Sequence, residues 1–234
     1  MMKSLVIAVV AAAFLAGCAN TPRKAFNREG AAQLKSVAVA ERVDEESYNI
    51  NIIAHPGVNF GLIGGLIAAA DLTSKSNKLT AALDPAQTAL QKRLSTKVAE
   101  QLNGTGYETS ITYVPARTDS GKAFEALRAN LATDAVLDLG IYGGYTAAGP
   151  GSDYLPYIRV DVITKDVKSG ETLYQDVITY GYTHQGQQTV HLESDSRYRF
   201  KDLDDLMARK DLAREGLQAG IDLVATQVAA DLKR

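Results

Sequence analysis

A single cysteine, Cys18, limits how this chain of 234 residues can be stabilised. No disulfide can form within the residues that follow it, so the ordered part must be held together by a hydrophobic core. Roughly 200 residues remain after Cys18, enough for one domain with a substantial core. The formal net charge of the whole chain is −2. This balance lacks the strongly basic surface of a nucleic-acid-binding protein, so we expect no nucleic-acid partner.

The first eighteen residues have the pattern of a targeting signal. Lys3 supplies a positive start, and residues 5–16 form an uncharged apolar run. This run is too short for a comfortable membrane span of roughly 20 residues. It ends in a tetrad that resembles the lipobox of bacterial lipoproteins, Leu15-Ala16-Gly17-Cys18. The resemblance implies that residues 1–17 are a signal peptide and that Cys18 carries diacylglycerol and a further acyl chain such as palmitate.

The acylated cysteine predicts membrane lipid as a partner. Two or more acyl chains make a stable anchor, since each buried methylene contributes roughly 0.8 kcal/mol. Ala19 follows the cysteine, which by resemblance to the sorting rule of enteric bacteria implies the outer membrane. Residues 18–33 are small and polar and predict a flexible, lipidated tether. We interpret residues 34–234 as a single domain that faces the periplasm.

Hydrophobic periodicity predicts alternating strands and helices in that domain. Asp84-Pro85 is typical of a helix start, and Gly104 would end this helix. Ser120 opens a second amphipathic helix, and residues 202–234 predict one long C-terminal helix. Strands are predicted near residues 34–43, 47–55, 107–114 and 134–146 and as a hairpin within 157–183. The order predicts an α+β fold with a mixed or largely antiparallel sheet and packed helices.

The hairpin region also carries a resemblance. Its sequence includes "TDAVLDLGIYGGY" and "YIRVDVITKDVKSGETLYQDV", within residues 133–177. This pattern resembles the C-terminal half of small domains in envelope lipoproteins, the CsgG-like, FlgO-like and TolB N-terminal-like groups. Ser169-Gly170-Glu171 stands where those proteins commonly have T-G-E, and the helix–strand order of residues 85–180 is similar. The resemblance implies an envelope accessory or assembly domain and carries over no catalytic residue.

The stretch "HPGVNFGLIGGLIAAADL", residues 55–72, has no charged side chain between His55 and Asp71. It predicts a glycine-rich helix at residues 57–70, about 21 Å long and short of the roughly 30 Å membrane core. We therefore expect a close-packed or interfacial helix rather than a transmembrane span. Its partner, in the same chain, a second copy or the bilayer surface, is left open. The candidate packing or oligomer face consists of small residues four apart, Gly57, Gly61, Gly65 and Ala69.

Motifs for catalysis and metal binding are scarce. The sequence has no G-x-S-x-G elbow, phosphate loop, dinucleotide fingerprint or H-E-x-x-H pair. His184 and His191 lie near Glu193 and Asp195, but their spacing matches no familiar metal site. We expect no catalytic residue, no metal and no cofactor. His55 is interpreted as a capping or surface residue.

A cluster of tyrosines suggests either a ligand groove or strand packing. Aromatic side chains are favoured in strands, so we favour packing. The residues concerned are Tyr142, Tyr145, Tyr154, Tyr157, Tyr174, Tyr180 and Tyr182.

Three functions are compatible with these patterns. The leading interpretation is a lipid-anchored, non-enzymatic binding or assembly module at the outer membrane, whose partner is another envelope protein or a second copy. The alternative is a self-oligomerising, membrane-active protein that uses the Gly57, Gly61 and Gly65 face. A metal-dependent hydrolase based on His184 and His191 is the weakest of the three.

Overall fold

The computed structural model describes residues 23–43, 46–114, 125–184 and 189–233. The predicted lipobox lies outside the described residues, so the predictions for Leu15, Ala16, Gly17 and Cys18 stay predictions. The predicted helix start at Ser120 also lies outside them, while residues 125–128 are helical.

The described residues form a mixed seven-stranded sheet with packed helices, which confirms the predicted α+β class. The strands are β1 (Ser36–Arg42), β2 (Asn49–Ile52), β3 (Glu108–Val114), β4 (Ala135–Ala147), β5 (Tyr154–Asp166), β6 (Thr172–Gly181) and β7 (Val190–Leu192). The helices are α1 (Gly61–Leu83), α2 (Pro85–Thr88), α3 (Leu90–Gly104), α4 (Leu203–Ala208) and α5 (Lys210–Asp231).

The sheet is built on β4, which has strands along both edges. Its order is β3-β1-β4-β5-β6-β7, with β4, β5 and β6 antiparallel and β1 and β3 parallel to β4. Strand β2 also pairs with β4, alongside residues 144–147, so β1 and β2 occupy successive parts of one edge. A Cβ atom on Gly144 would lie 2.0 Å from the Asn49 carbonyl oxygen, so this close pairing requires glycine.

The core lies between the sheet and the pair of helices α3 and α5. The apolar side chains that recur at helical spacing in these two helices are buried: Leu90, Leu94, Val98 and Leu102 in α3 and Ala213, Leu217, Ile221, Val224 and Val228 in α5. They pack in one cluster with strand residues that include Val160 and Ile178. Burial of such side chains contributes roughly 1.5–3 kcal/mol each, which stabilises a domain that has no disulfide.

The helix predicted from Asp84 is interrupted. The Asp84 side chain accepts from the Ala86 amide as expected, 3.1 Å apart, but Ala89 has a left-handed conformation with φ of 42°. The carboxylate of Glu46 accepts from the amides of Leu90 and Gln91, at 3.0 and 2.7 Å. This distant acidic residue therefore caps a new helix, α3, and satisfies amides that a continuous helix would have paired internally.

The predicted C-terminal helix is also two helices. The chain leaves helical conformation at Arg209, between α4 and α5. The Arg209 guanidinium lies over the Phe200 ring, 4.4 Å from its centroid, and pairs with Asp205. At the bend between α4 and α5, Arg209 therefore contacts both α4, through Asp205, and the segment before α4, through Phe200.

Residues from Arg23 onward contact the domain, although residues 18–33 were predicted as a tether. The Lys24 backbone exchanges two hydrogen bonds with Gln175 of β6, and Arg23 pairs with Asp176 at 2.7 Å. Ala31 is buried in the core. The packed part of the described chain therefore includes Arg23, whereas the sequence predicted that the domain begins at residue 34.

Candidate interaction surface

The glycine-rich stretch forms two helical segments rather than one helix over residues 57–70. A 3₁₀-helix spans Pro56–Phe60, and α1 begins at Gly61. Gly61 has a φ of 65°, a conformation that glycine adopts at little cost. The chain therefore changes direction at Gly61, and the predicted continuous stripe of small residues is broken there.

Helix α1 continues far beyond the predicted end at Ala70 because its second half covers the edge of β2. The Tyr48 amide donates to Thr80 Oγ1 and the Ile50 amide donates to Ser76 Oγ, both at 2.9 Å. These hydroxyls take the place of a neighbouring strand, and backbone amides that are withdrawn from water need such partners. The polar residues 73–78, "TSKSNK", are therefore part of the helix.

These hydrogen bonds also fix the direction of α1. Thr80 lies beside Tyr48 and Ser76 beside Ile50, so α1 runs antiparallel to β2. Strand β2 ends at Ile52, opposite Ala147 of β4. The first ten residues of α1 therefore extend past the end of the sheet. We refer to residues 53–70 as the apolar hook.

The hook folds back on itself through small residues. A Cβ on Gly64 would lie 2.2 Å from the Gly57 carbonyl oxygen, and a Cβ on Gly57 would lie 3.0 Å from Ala68 Cβ. Gly64 and Ala68 are the buried positions in the first half of α1. The close contacts within the chain are therefore made by Gly57, Gly64 and Ala68.

The four small residues predicted as a packing or oligomer face do not share one environment. Gly57 is used inside the hook, whereas an added Cβ on Gly61 or Gly65 would meet no atom within 4 Å. Ala69 is exposed. Three of the four predicted residues thus face away from the described chain, and their use as an oligomer face stays a prediction.

Polar side chains hold the base of the hook. His55 Nδ1 accepts from the Gly57 amide at 3.1 Å, which confirms the capping role predicted for His55. The ring proton therefore lies on Nε2, which is 3.2 Å from Asp71 Oδ2. Lys75 Nζ lies 2.6 Å from the same oxygen. The hydrogen bond from Lys75, followed by that from His55, lowers the pKa of Asp71.

Large apolar side chains cover the outside of the hook. Of the twelve such side chains exposed in the described residues, seven belong to the hook: Ile53, Val58, Phe60, Leu62, Ile63, Leu66 and Ile67. Leu62 is 82% exposed. Contiguous exposed apolar surface is rare on monomeric soluble proteins and marks an interaction site. We therefore take the hook as the candidate functional site.

Length and composition alone would allow this segment to cross a membrane. Among the described residues, Pro56–Leu83 is the one helical stretch that passes such a test, with a mean hydropathy of 1.3 in its most apolar window. Only 11% of that window is buried inside the domain. The segment thus differs from a core helix, which would be mostly buried.

The histidines proposed for a metal-dependent hydrolase make other contacts. His184 packs edge-on against Tyr157 and Tyr182, with ring centroids 5.0 and 5.1 Å away, and burial lowers its pKa. His191 Nε2 lies 2.8 Å from the Thr183 hydroxyl. Within the part of the chain that the structure describes, no three His, Cys, Asp or Glu side chains gather to hold a metal ion. The proposed ligand set is not assembled.

The tyrosine cluster belongs mainly to the core, as the packing interpretation predicted. The Tyr145 hydroxyl donates to the Ala213 carbonyl oxygen, and that of Tyr174 donates to Asp231, both at 2.8 Å. Burial raises the pKa of Tyr145, so this side chain stays a neutral donor. Five of the seven tyrosines are buried: Tyr145, Tyr154, Tyr157, Tyr174 and Tyr180.

A cavity of about 210 Å³ lies between β1, β4 and α3. It is smaller than the roughly 300–1,000 Å³ of typical small-molecule pockets. Both charged residues in its described lining have structural partners: Arg42 pairs with Asp138, and Glu46 caps α3. Sequence reasoning did not identify this cavity, because the residues that line it come from separate parts of the chain.

No protein-family model matches this chain, and no curated protein matches it. The resemblance to CsgG-like, FlgO-like and TolB N-terminal-like domains therefore stays a prediction.

Solved structures match this chain at low sequence identity and low TM-score. A PelC dodecamer from Paraburkholderia phytofirmans is 13% identical, with a TM-score of 0.32, over 92% of this chain and 94% of that one. The lipoprotein GNA1162 from Neisseria meningitidis is 15% identical, with a TM-score of 0.29, over 65% and 88%. A minor lipoprotein from Acinetobacter baumannii is 12% identical, with a TM-score of 0.32, over 60% and 85%. At this level of similarity, function has to be argued from the chain's own surface.

Proposed function

We propose that this chain is a lipid-anchored protein of the bacterial envelope that works as a non-enzymatic binding or assembly module at the outer membrane. The observation that carries the proposal is the apolar hook, with seven exposed large apolar side chains within residues 53–67. Such a surface costs free energy in water, at roughly 25 cal/mol per Å² of apolar area, and is stabilised when another component covers it.

The predicted acylation of Cys18 supports the same proposal. Acyl chains on Cys18 would hold the domain at a membrane, so the hook would meet envelope components rather than a freely diffusing ligand. Because Cys18 is the only cysteine, every acyl group on a thiol of this chain can be assigned to it. The partners are then membrane lipid through Cys18 and a further envelope component through the hook.

Acylation and location test the first part of the proposal. The full chain and Cys18→Ser are produced in a bacterium with two membranes, and the N-terminal peptide is analysed by mass spectrometry. We expect an acylated peptide and co-sedimentation with outer membranes for the full chain, and loss of both for Cys18→Ser. An unmodified chain that remains in the cytoplasm would contradict the proposal.

Crosslinking in intact cells tests the second part. A photoreactive amino acid replaces Leu62 in the hook or, as a control, Asn77 on the exposed face of the second half of α1. We expect crosslinks from position 62 to an envelope lipid or protein and few from position 77. Equal crosslinking from both positions would show that the hook has no special role.

Self-association is the second candidate function, favoured by the open space around Gly65. A close helix–helix contact through Gly65 and Ala69 would be blocked by Gly65→Leu. Gly61 is less suitable for this test, because its positive φ makes any substitution strained. Sedimentation of residues 19–234 should show an oligomer that Gly65→Leu disrupts and Ala81→Leu preserves. A monomer at all concentrations would exclude this candidate.

A further inference from the structure

We propose that the apolar hook inserts into one leaflet of a lipid bilayer, with Asp71 and Lys75 at the boundary with water. This inference rests on the proposed function for the location of the domain and goes beyond it by assigning lipid to the hook. It adds a second membrane contact, made by the folded domain itself, to the predicted acyl anchor at Cys18.

The exposed side chains of α1 change from apolar to polar along the helix axis rather than around it. In the first ten residues the exposed large side chains are all apolar: Leu62, Ile63, Leu66 and Ile67. In the second half, apart from Ala81, the exposed residues are polar: Thr73, Ser74, Asn77 and Lys78. A helix beside a protein surface carries its apolar side chains as a stripe along its whole length. A helix that is apolar in one half and polar in the other is instead expected where one half lies in an apolar medium and the other half in water.

The apolar side chains also surround too much of the helix for one neighbouring helix to cover. At 100° per residue, Leu62 and Ile67 lie about 140° apart around the axis, with Leu66 and Ile63 between them. Val58 and Phe60 extend the exposed surface onto the preceding 3₁₀-helix. A second copy packed on Gly65 and Ala69 would therefore leave several of these side chains in water, whereas lipid would cover all of them.

The length of the hook matches one leaflet. The ten residues of α1 that lie beyond the sheet rise about 15 Å, half of the roughly 30 Å hydrocarbon core. The rest of α1 cannot follow them into lipid, because Ser76 and Thr80 bond to β2 and Lys75 and Lys78 are charged. Insertion thus stops at the ion pair between Asp71 and Lys75, and the helix does not cross the bilayer.

The first described residues, Arg23 and Lys24, run in the direction of the same end of the sheet. The pairing of Lys24 with Gln175 is antiparallel, so the backbone at Arg23 is directed toward the Gly181 end of β6. Gly181 of β6 pairs with Tyr157 of β5, and Tyr157 pairs with Gly144 of β4. The Gly181 end of β6 is therefore the end of the sheet at which Ala147 and the hook lie. The predicted acyl anchor and the hook can therefore face one membrane.

The short length of chain between Cys18 and Arg23 also restricts how the domain can be oriented on the membrane. From the level of Gln175 to that of Ala147 the sheet extends about 30 Å. The five residues from Cys18 to Arg23 span at most about 17 Å. Both contacts reach one bilayer only when the sheet is tilted, with the β6 edge leaning toward the membrane.

Depth measurement on the full acylated chain tests the inference. Leu66→Cys, or Asn77→Cys as the matched control, is labelled with nitrobenzoxadiazole, since acylation leaves no other free thiol. Both positions are exposed, so neither change disturbs the core. The protein is reconstituted in vesicles of phosphatidylethanolamine and phosphatidylglycerol, some with spin labels on the acyl chains. We expect blue-shifted emission at position 66 that the spin labels quench, and unshifted, unquenched emission at position 77.

Two results would overturn the inference. Emission at position 66 like that of a probe in water would show that the hook stays outside the bilayer. A blue shift that lipid spin labels do not quench would show that protein covers the hook, in which case the proposed function survives and the lipid assignment fails.

A shortened chain of residues 19–234, which lacks Cys18, tests this inference independently of the predicted acylation. This chain retains every core residue, from Ala31 to Leu232, but has no acyl group. We expect it to bind the same vesicles, and Leu62→Asp with Leu66→Asp to weaken binding about tenfold or more, because an aspartate is costly in hydrocarbon. Thr73→Asp with Asn77→Asp should leave binding unchanged at equal net charge. Equal binding by the two double variants would contradict the inference even if Cys18 proves to be acylated.

Discussion

Gly64 lies so close to Gly57 that a Cβ atom on Gly64 would be 2.2 Å from the Gly57 carbonyl oxygen. This contact joins the 3₁₀-helix to α1 and gives the hook its shape. The obstacle is backbone, which cannot move aside as a flexible side chain can. The neighbouring Gly65 has open space around its Cα, so the two adjacent glycines have different roles.

The first prediction compares alanine at these two positions. Gly64→Ala should destabilise the hook by about 1–3 kcal/mol, since the new methyl group overpacks a tight contact. Gly65→Ala should be neutral or stabilising by up to about 1 kcal/mol, because alanine favours the helix. Hydrogen exchange of the amides in residues 55–68 measures both effects. Equal protection in the two variants would contradict the tight contact.

The second prediction concerns acid. Hydrogen bonds from Lys75 and His55 lower the pKa of Asp71 below its ordinary value of 3.8. A carboxylate with a lowered pKa in the folded state contributes stability that is present above its unfolded pKa and lost as the pH falls through its folded value. The base of the hook should therefore loosen below about pH 4.

Hydrogen exchange of the amides in residues 64–72 measures this loosening, and a variant at Asp71 is needed because many other carboxylates titrate in the same range. Asp71→Asn should remove the response of these amides below about pH 4, and Lys75→Gln should bring the pKa of Asp71 back toward its ordinary value. An unchanged response in Asp71→Asn would assign the effect to another group.

The third prediction concerns the hydroxyls that cover β2. Thr80→Val leaves the amide of the buried Tyr48 without its partner, which should cost about 1–3 kcal/mol. Thr73→Val is the matched control, since Thr73 is exposed and its hydroxyl bonds to the Ala69 carbonyl oxygen of its own helix. Its effect should stay within about 0.5 kcal/mol. Urea unfolding measures both, and equal losses would show that Thr80 is not needed at the strand edge.

The sequence predicted the parts of the fold that periodicity controls. Leu94 and Val98 in α3, and Ile221 and Val224 in α5, recur at helical spacing and are all buried. Periodicity of this kind arises because one face of each helix must leave water, and it is visible without knowing the neighbours. The α+β class followed from the order of these elements.

The parts that depend on distant contacts could not be predicted. The polar second half of α1 is helical because Ser76 and Thr80 bond to β2, and Ala89 ends a helix because Glu46 caps the next one. The hook presents a different difficulty. An apolar sequence does not indicate by itself whether its side chains are buried or exposed. The exposure of Leu62 and Leu66 follows from the position of α1 beyond the end of β2.

The fourth prediction contrasts two ion pairs that differ in burial. Arg42 of β1 pairs with Asp138 of β4, with side chains only 6% and 13% exposed. Asp138→Asn leaves a buried guanidinium without its counter-charge, which should cost about 3–5 kcal/mol. Arg93 and Asp222 join α3 to α5 by a similar pair, but their side chains are 35% and 41% exposed. Asp222→Asn should cost at most about 1 kcal/mol, because water compensates for the lost partner.

Chemical denaturation of the two variants, with circular dichroism as the readout, decides this contrast. Asp138→Leu together with Arg42→Met should recover much of the loss from Asp138→Asn, since replacing both charges removes the unpaired guanidinium. If Asp138→Asn and Asp222→Asn lower the free energy of unfolding equally, water must reach the Arg42 pair. The cavity of about 210 Å³ that Arg42 lines would then be the route by which water arrives.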